Sequence, residues 1–394
     1  MEDNVIYMDN AATTPLRKQV LEAMLPYFTE KFANPSGIYR KAAECRQDVA
    51  RARELLADSI HTAAENIYFT AGGSESDNWA IKAAAEAYGS QGRHIITTKI
   101  EHHAVLHTCG YLEKQGFEVT YLDVDENGLV DVGQLEAAIR PDTILISVMF
   151  ANNEIGTIEP VEKIGQIARK HGVLFHTDAV QAYTQVPIDV EEMNIDMMSV
   201  SGHKIYGPKG IGFLYIRKGV KIRSFLHGGA QERHRRAGTE NVAGIIGLAR
   251  AAQLALLDRE ERTARECKIR DHIIERIERE IPFAILNGDR TKRLPGNVNF
   301  SFQYIEGESM LILLDGRGIC ASSGSACTSG SLDPSHVLLA IGLAHETAHG
   351  SLRITLGMHN TMEEADYLVD NLKEIVARLR DMSPLYADMV KKVS

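Results

Sequence analysis

The 394-residue chain has only five cysteines, a single tryptophan, and aromatic residues at 6%. The cysteines (Cys45, Cys109, Cys267, Cys320 and Cys327) are odd in number and form no C-x-x-C pair, so neither a disulfide framework nor a zinc motif is expected. A reducing compartment with one reactive thiol fits this usage. No apolar run approaches the roughly 20 residues that a membrane helix needs. The opening "MEDNVIYMDN" is acidic and lacks both the basic start of a secretory signal and the Arg/Ser bias of a transit peptide, so a cytoplasmic protein without a membrane partner is expected. Basic charge is also short: 43 Lys and Arg against 53 Asp and Glu give a net charge of −10. That balance argues against a nucleic-acid partner held by phosphate contacts. Arg233, Arg235 and Arg236 do cluster, and suit a small anion better than a duplex. The glycines match neither Walker nor dinucleotide spacing, which disfavours ATP and NAD.

What is present is an ordinary globular composition, 44% hydrophobic and 24% charged, on a chain too long for one ordinary core. A polar, Ala- and Arg-rich helix is expected over 39–56. Seven short apolar runs follow: "NIYFT" (66–70), "HIITTK" (94–99), "EVTYLDV" (118–124), "TILISVMF" (143–150), "VLFHTD" (173–178), "DMMSVS" (196–201) and "GIGFLYIR" (210–217). Most are separated by amphipathic stretches such as "VEKIGQIARKHG", with apolar residues at helical spacing and a glycine stop. This alternation predicts an α/β fold whose large domain holds a seven-stranded, mostly parallel sheet covered by helices. Residues 244–280 read as one long connecting helix, and 281–394 as a smaller α+β part. The expected division is a large domain at 15–260, with 1–14 and 261–394 forming the small one.

In an open parallel sheet, ligands gather at the carboxyl ends of the strands, so the residues after each run matter most. After the first run, "TAGGSESDN" places small residues at a helix start, either a phosphate cradle with Ser74 and Ser76 as hydroxyl donors or a plain serine-capped turn. "KIEHHAV" offers His102 and His103, as metal ligand, proton carrier or ring to stack on a flat cofactor; neighbouring residues point apart, which weakens the metal option. "ANNEIGT" brings Asn152 and Asn153, whose amides must bond to something, if only loop backbone. Asp178 closes a buried strand, where an unpaired carboxylate is costly, and Ser201, His203 and Lys204 close the next. An Asp–Lys salt bridge at the sheet rim would account for the last pair. A carboxylate for a pyridinium nitrogen, a lysine for a Schiff base and a helix start for phosphate are also the three fittings of pyridoxal phosphate, and the three together favour the cofactor.

The segments "DAVQ" (178–181), "SGHKIYGPKG" (201–210), "RAGTEN" (236–241) and "SSGSACTSG" (322–330) resemble the cysteine desulfurases of the NifS/IscS type, fold-type I enzymes dependent on pyridoxal phosphate. The resemblance runs from "MDNAATTP" (8–15) to "SLRITLG" (351–357). It implies that Lys204 anchors the cofactor, Asp178 faces its ring nitrogen, His102 stacks on the ring and Gln181 bonds its phenolic oxygen. Gly73, Ser74, Ser201 and His203 would form the phosphate site, joined by Thr239 of a neighbouring subunit, hence a homodimer. Asn153 and Arg353 would hold the carboxylate of L-cysteine. Cys327, in a small, polar run that reads as a mobile loop at about 321–333, would take the sulfur as a persulfide, leaving L-alanine, for delivery to an iron–sulfur cluster scaffold protein. Cys320 is expected to tuck under the domain; His103 receives no role. A selenocysteine lyase or an aminotransferase of the same fold is the near alternative. A non-enzymatic scaffold binding metal through His102, His103, His176 and His203 is the distant one. No metal site is assigned.

Overall fold

The computed structural model describes residues 5–323 and 334–393. Its strands, in chain order, are β1 (Ile6–Tyr7), β2 (Ile67–Thr70), β3 (His94–Thr98), β4 (Glu118–Leu122), β5 (Thr143–Ser147), β6 (Leu174–Asp178), β7 (Met197–Ser201), β8 (Gly212–Ile216), β9 (Ala284–Leu286), β10 (Asn297–Phe302), β11 (Ile319–Cys320) and β12 (Ser351–Thr355). Seven of them form one sheet in the order β2-β8-β7-β6-β5-β3-β4, and these are the seven expected runs. All pairings are parallel except those of β8 with β2 and β7. Two antiparallel steps return β2 to the direction of β7. The carboxyl ends of β2, β3, β5, β6 and β7 therefore share one edge of the sheet, which builds the site.

The central strands β5, β6 and β7 are buried along their whole length, which is why they read as continuous apolar runs, while the edge strand β4 begins at an exposed Glu118. The covering helices stop where expected. Helix Val161–His171 buries Val161, Ile164 and Ala168 and ends on Gly172 at φ 67°, a left-handed cap that glycine adopts without strain. The predicted strand 143–150 is regular only to Ser147, but Val148 and Phe150 still donate to the carbonyls of His176 and Asp178.

The helix expected over 244–280 is two helices, Val242–Leu257 and Arg259–Glu280. They break at Asp258, whose carboxylate takes Arg17 at 2.8 Å and Arg262 at 3.3 Å. The apolar first helix packs into the core of the large sheet, and Ile269, Ile273 and Ile277 of the second enter another core. A straight helix could not serve both. That second core lies on an antiparallel sheet, β12-β10-β9, and includes Met8 beside Phe300, Phe302, Ile354 and Leu372. Next to it, β1 pairs with β11. Residues 6–8 thereby lie against the second core, and residues 9–14 run on toward Lys204.

Candidate active site

At the end of β2 the backbone turns through Gly72 (φ 145°) into helix Gly73–Tyr88, which has no side-chain cap. A Cβ on Gly73 would stand 2.7 Å from Val180 Cγ2 and 3.7 Å from Ser201 Cβ, so the ends of β2, β6 and β7 meet here. Uncapped first-turn N–H groups, two glycines that admit a close approach, and the hydroxyl of Ser201 make an anion cradle. Ser74 lies exposed at the same turn, whereas the buried Ser76 hydroxyl shares a hydrogen bond with Thr70 Oγ1 (2.8 Å) and lies within donating reach of the Gly72 carbonyl (3.1 Å). Ser76 is therefore not the phosphate donor that the motif suggested. The ring of His203 meets Thr13 Oγ1 at 3.1 Å. Burial, with help from Lys204 and Lys209, pushes its pKa down to about 4, so it is a neutral imidazole at pH 7.

The centre of the site is unusually rich in carboxylate. Asp178 at the end of β6 is buried, and one of its oxygens accepts from Val180 N at 2.9 Å. Burial raises its pKa, opposed by the nearby His102 and Lys204. Asp77, on the first turns of helix Gly73–Tyr88, is fully buried, and one ligand atom each from Asp77, His102 and Asp178 lie within 4.8 Å of one another. Burial and then the Asp178 charge hold Asp77 well above the ordinary carboxylate range. Two acids this close and this dry share a proton, and a cation introduced at Asp178 would ionise that member of the pair. His102 caps helix His103–Glu113, its Nδ1 accepting from Ala104 N at 3.1 Å, which fixes the ring beside Asp178.

Lys204 ends the short turn Gly202–Lys204 after β7. Its Nζ donates to the carbonyls of Ala11 and Ala12, and Gln181 Nε2 donates to the same Ala11 carbonyl at 3.0 Å. The N-terminal segment thus positions both side chains. At the other end, Arg353 of β12 is buried and divides its fork between Asn153 O and Asp9 Oδ1, both at 3.0 Å, while Ser322 Oγ meets Nε at 3.1 Å. Asn153 and Arg353 do come together, though through the asparagine's carbonyl. Asn152 serves the loop: it donates to Ile100 O and accepts from Glu154 N and Ile155 N.

Thr239 is exposed in the loop before helix Val242–Leu257. The arginine cluster is no free anion site: Arg236 is paired with Glu75 at 2.8 Å, and Arg233 lies 4.0 Å over the Tyr68 ring. His176 is buried between Ser147 and Ser199, both at 2.9 Å, so it does not converge with His203 on a metal. Cys327 and most of the loop expected at 321–333 fall outside the described residues. Of the described cysteines, Cys320 is half-buried with its thiol pKa raised by burial, Asp315 and Asp9, and Cys109 is buried and pushed up to about 12. A cavity of about 970 Å³ between Asp125, Phe150, Glu159 and Lys292 is lined by none of the predicted site residues. A much smaller one, lined by Gln181, Lys204 and Ala11, lies at the chemistry. Polar strand ends that converge outweigh sheer volume as a sign of function. Asp9, Asp77 and the Ala11 and Ala12 carbonyls escaped sequence reasoning; only the early "MDNAATTP" resemblance pointed toward the first and the last two.

A sheet of this order with an amine, an acid and an anion cradle on one edge defines a class, and the chain belongs to it: residues 6–368 match the aminotransferase class-V family. Within the family, it is 59% identical over 384 residues to "Cysteine desulfurase IscS" of Methanosarcina thermophila, covering 98% of this chain and 95% of that protein. Among solved structures, a "NifS-like protein" is 40% identical, covers 95% of this chain and 100% of its own, and superposes with a TM-score of 0.90. "SspA in complex with cysteine" is also 40% identical, covering 89% and 98%, with a TM-score of 0.80.

Proposed function

We propose that this enzyme is a cysteine desulfurase that converts L-cysteine to L-alanine and passes the sulfur to its own Cys327. The observation that carries the reading is the convergence of Lys204, Asp178 and the Gly72–Gly73 helix start on one sheet edge. Enzymes of the class-V and cysteine desulfurase families use pyridoxal phosphate. The residues present fit that group: a cradle where two glycines and Ser201 meet, a buried acid whose ionised form needs a cationic partner, and an amine that donates to the Ala11 and Ala12 carbonyls. The same acids could attract a metal cation, but an adjacent lysine and an anion cradle are fittings a metal does not need.

Bound here, pyridoxal phosphate would supply an electron-accepting ring that acidifies the substrate's α-carbon. Lys204 would hold its aldehyde carbon, and Asp178, ionised with the shared proton left on Asp77, would keep its ring nitrogen protonated. Gly73, Ser74, Ser201 and the neutral His203 would cradle the phosphate. His102 would lie on the ring face and Gln181 would reach its oxygen. Lys204 would also move the proton from the substrate's α-carbon. Arg353 orients the substrate carboxylate with Asn153, the planar fork suiting a carboxylate, which would compete with Asp9. The Cys327 thiolate then attacks the substrate sulfur. A new S–S bond forms, the carbon–sulfur bond breaks, and protonation of the carbon fragment yields alanine.

The cysteine complex of a 40% identical neighbour supports the substrate, and the IscS name of the relative supports sulfur delivery to an iron–sulfur scaffold. The two hydrophobic cores are read as domains, 15–260 and 1–14 with 261–394. Thr239, exposed in the loop before helix Val242–Leu257, is assigned to the site of a second subunit in a homodimer. Among the described residues no helix is long and apolar enough to cross a membrane, and a cytoplasmic location is proposed. The test is to supply L-cysteine with a reductant and quantify both products. Equal alanine and sulfide support the reading. Turnover of L-selenocysteine alone would make the enzyme a selenocysteine lyase, and amino transfer without sulfide an aminotransferase.

A further inference from the structure

Three imidazoles that the proposed reaction does not use pack ring to ring beside the site. His103 and His107 stand one helical turn apart on helix His103–Glu113, with ring centroids 5.1 Å apart. His336, the first residue of helix His336–Ala340, brings a third ring to 4.7 Å from His103. Residues at i and i+4 share a helix face, the spacing by which two histidines grip one ion.

The ring chemistry suits a ligand set. His336 Nε2 lies 3.0 Å from the Glu101 carbonyl, which can only accept, so Nε2 carries the hydrogen and Nδ1 carries the free lone pair. A histidine whose second nitrogen donates to a backbone carbonyl is oriented as metal-binding histidines are. His107 is exposed and provides the way in.

We propose that His103, His107 and His336 bind a divalent transition-metal ion of the kind that prefers imidazole, with Zn2+ as the natural candidate. Among the described residues only Asp77, His102 and Asp178 hold ligand atoms all within 4.8 Å of one another, so at least one of the three rings must turn to bind an ion. The ion would tie helix His336–Ala340 to the helix that His102 caps, which links the segment following the Cys327 region to the cofactor's stacking ring. This proposal does not depend on the desulfurase reading.

The test titrates Zn2+ into the holoenzyme carrying Cys327→Ser, so that this thiol does not compete, with calorimetry and the unfolding midpoint as readouts. One ion per chain and a midpoint that rises with Zn2+ are expected. In the same background His107→Gln, at an exposed position that leaves packing intact, should weaken binding by at least about tenfold, as should His103→Gln and His336→Gln. No saturable binding in the parent, or an affinity unchanged by His107→Gln and by the His103→Gln/His107→Gln pair, would show that the three rings only pack against each other.

Discussion

Glu101 follows β3, is fully buried, and shares the carboxylate-rich centre of the site. One oxygen accepts from Thr98 Oγ1 at 2.8 Å and Met149 N at 2.9 Å, and the other has no partner among the described residues. Burial lifts its pKa from 4.5 to about 8; the two hydrogen bonds oppose the rise, and the charges of Asp178 and Glu159 add to it. Between those two values the native chain keeps a proton that the unfolded chain has lost. Native protein thus binds more protons, and stability falls as pH rises from about 4.5 to about 8, by about 1.4 kcal/mol per pH unit from this residue. Glu101→Gln abolishes that titration. It adds a buried amide N–H whose cost of about 1–3 kcal/mol does not vary with pH. The stability of the variant relative to the parent should therefore climb by about 3 kcal/mol from about pH 5.5 to about pH 7.5. Glu154, Glu159 and Glu266, raised to about 7, 8 and 7, titrate alike in both proteins and drop out of the difference. Urea unfolding followed through Trp79, the single tryptophan and a buried one, measures it. Stability curves that stay parallel across that range would refute an uncharged Glu101.

Gly72→Ala places a side chain at φ 145°, a strain of about 1–3 kcal/mol at the cradle; cofactor affinity, titrated by absorbance, should fall about tenfold or more. An unchanged affinity would remove this turn from the phosphate site. Arg353→Lys keeps the charge but loses the fork, and the KM for L-cysteine should rise at least about tenfold with cofactor content intact. An unaltered KM would place the carboxylate elsewhere. Cys327→Ser should retain the cofactor absorbance and release no sulfur, whereas Cys320→Ser should stay active because the Cys320 thiol is held protonated. The reverse pattern would make Cys320 the nucleophile.

The sheet was legible because strands buried on both faces are written as unbroken apolar runs. A polar residue that closes such a run, as Asp178 and Ser201 do, stands out and falls on the edge where ligands bind. Gly72 and Gly73 were visible for the same reason. Contacts made by backbone were not. Lys204 is held by the carbonyls of two alanines more than 190 residues earlier, and an alanine's carbonyl leaves no trace in its side chain. Asp77 sits inside a helical pattern as an ordinary polar residue, and only the folded chain shows that it faces Asp178. The arginines at 233–236 misled because clustering in sequence says nothing of partners: Glu75 and Tyr68, which occupy two of them, lie on other elements. The break at Asp258 was hidden because both helices keep helical periodicity up to a junction set by Arg17 and Arg262.

Borohydride reduction of the purified protein, followed by mass spectrometry of its peptides, tests whether Lys204 carries the cofactor. A pyridoxyl adduct is expected on the peptide containing Lys204, with loss of the visible absorbance band. An adduct on another lysine, or none after pyridoxal phosphate has been supplied, would contradict that assignment.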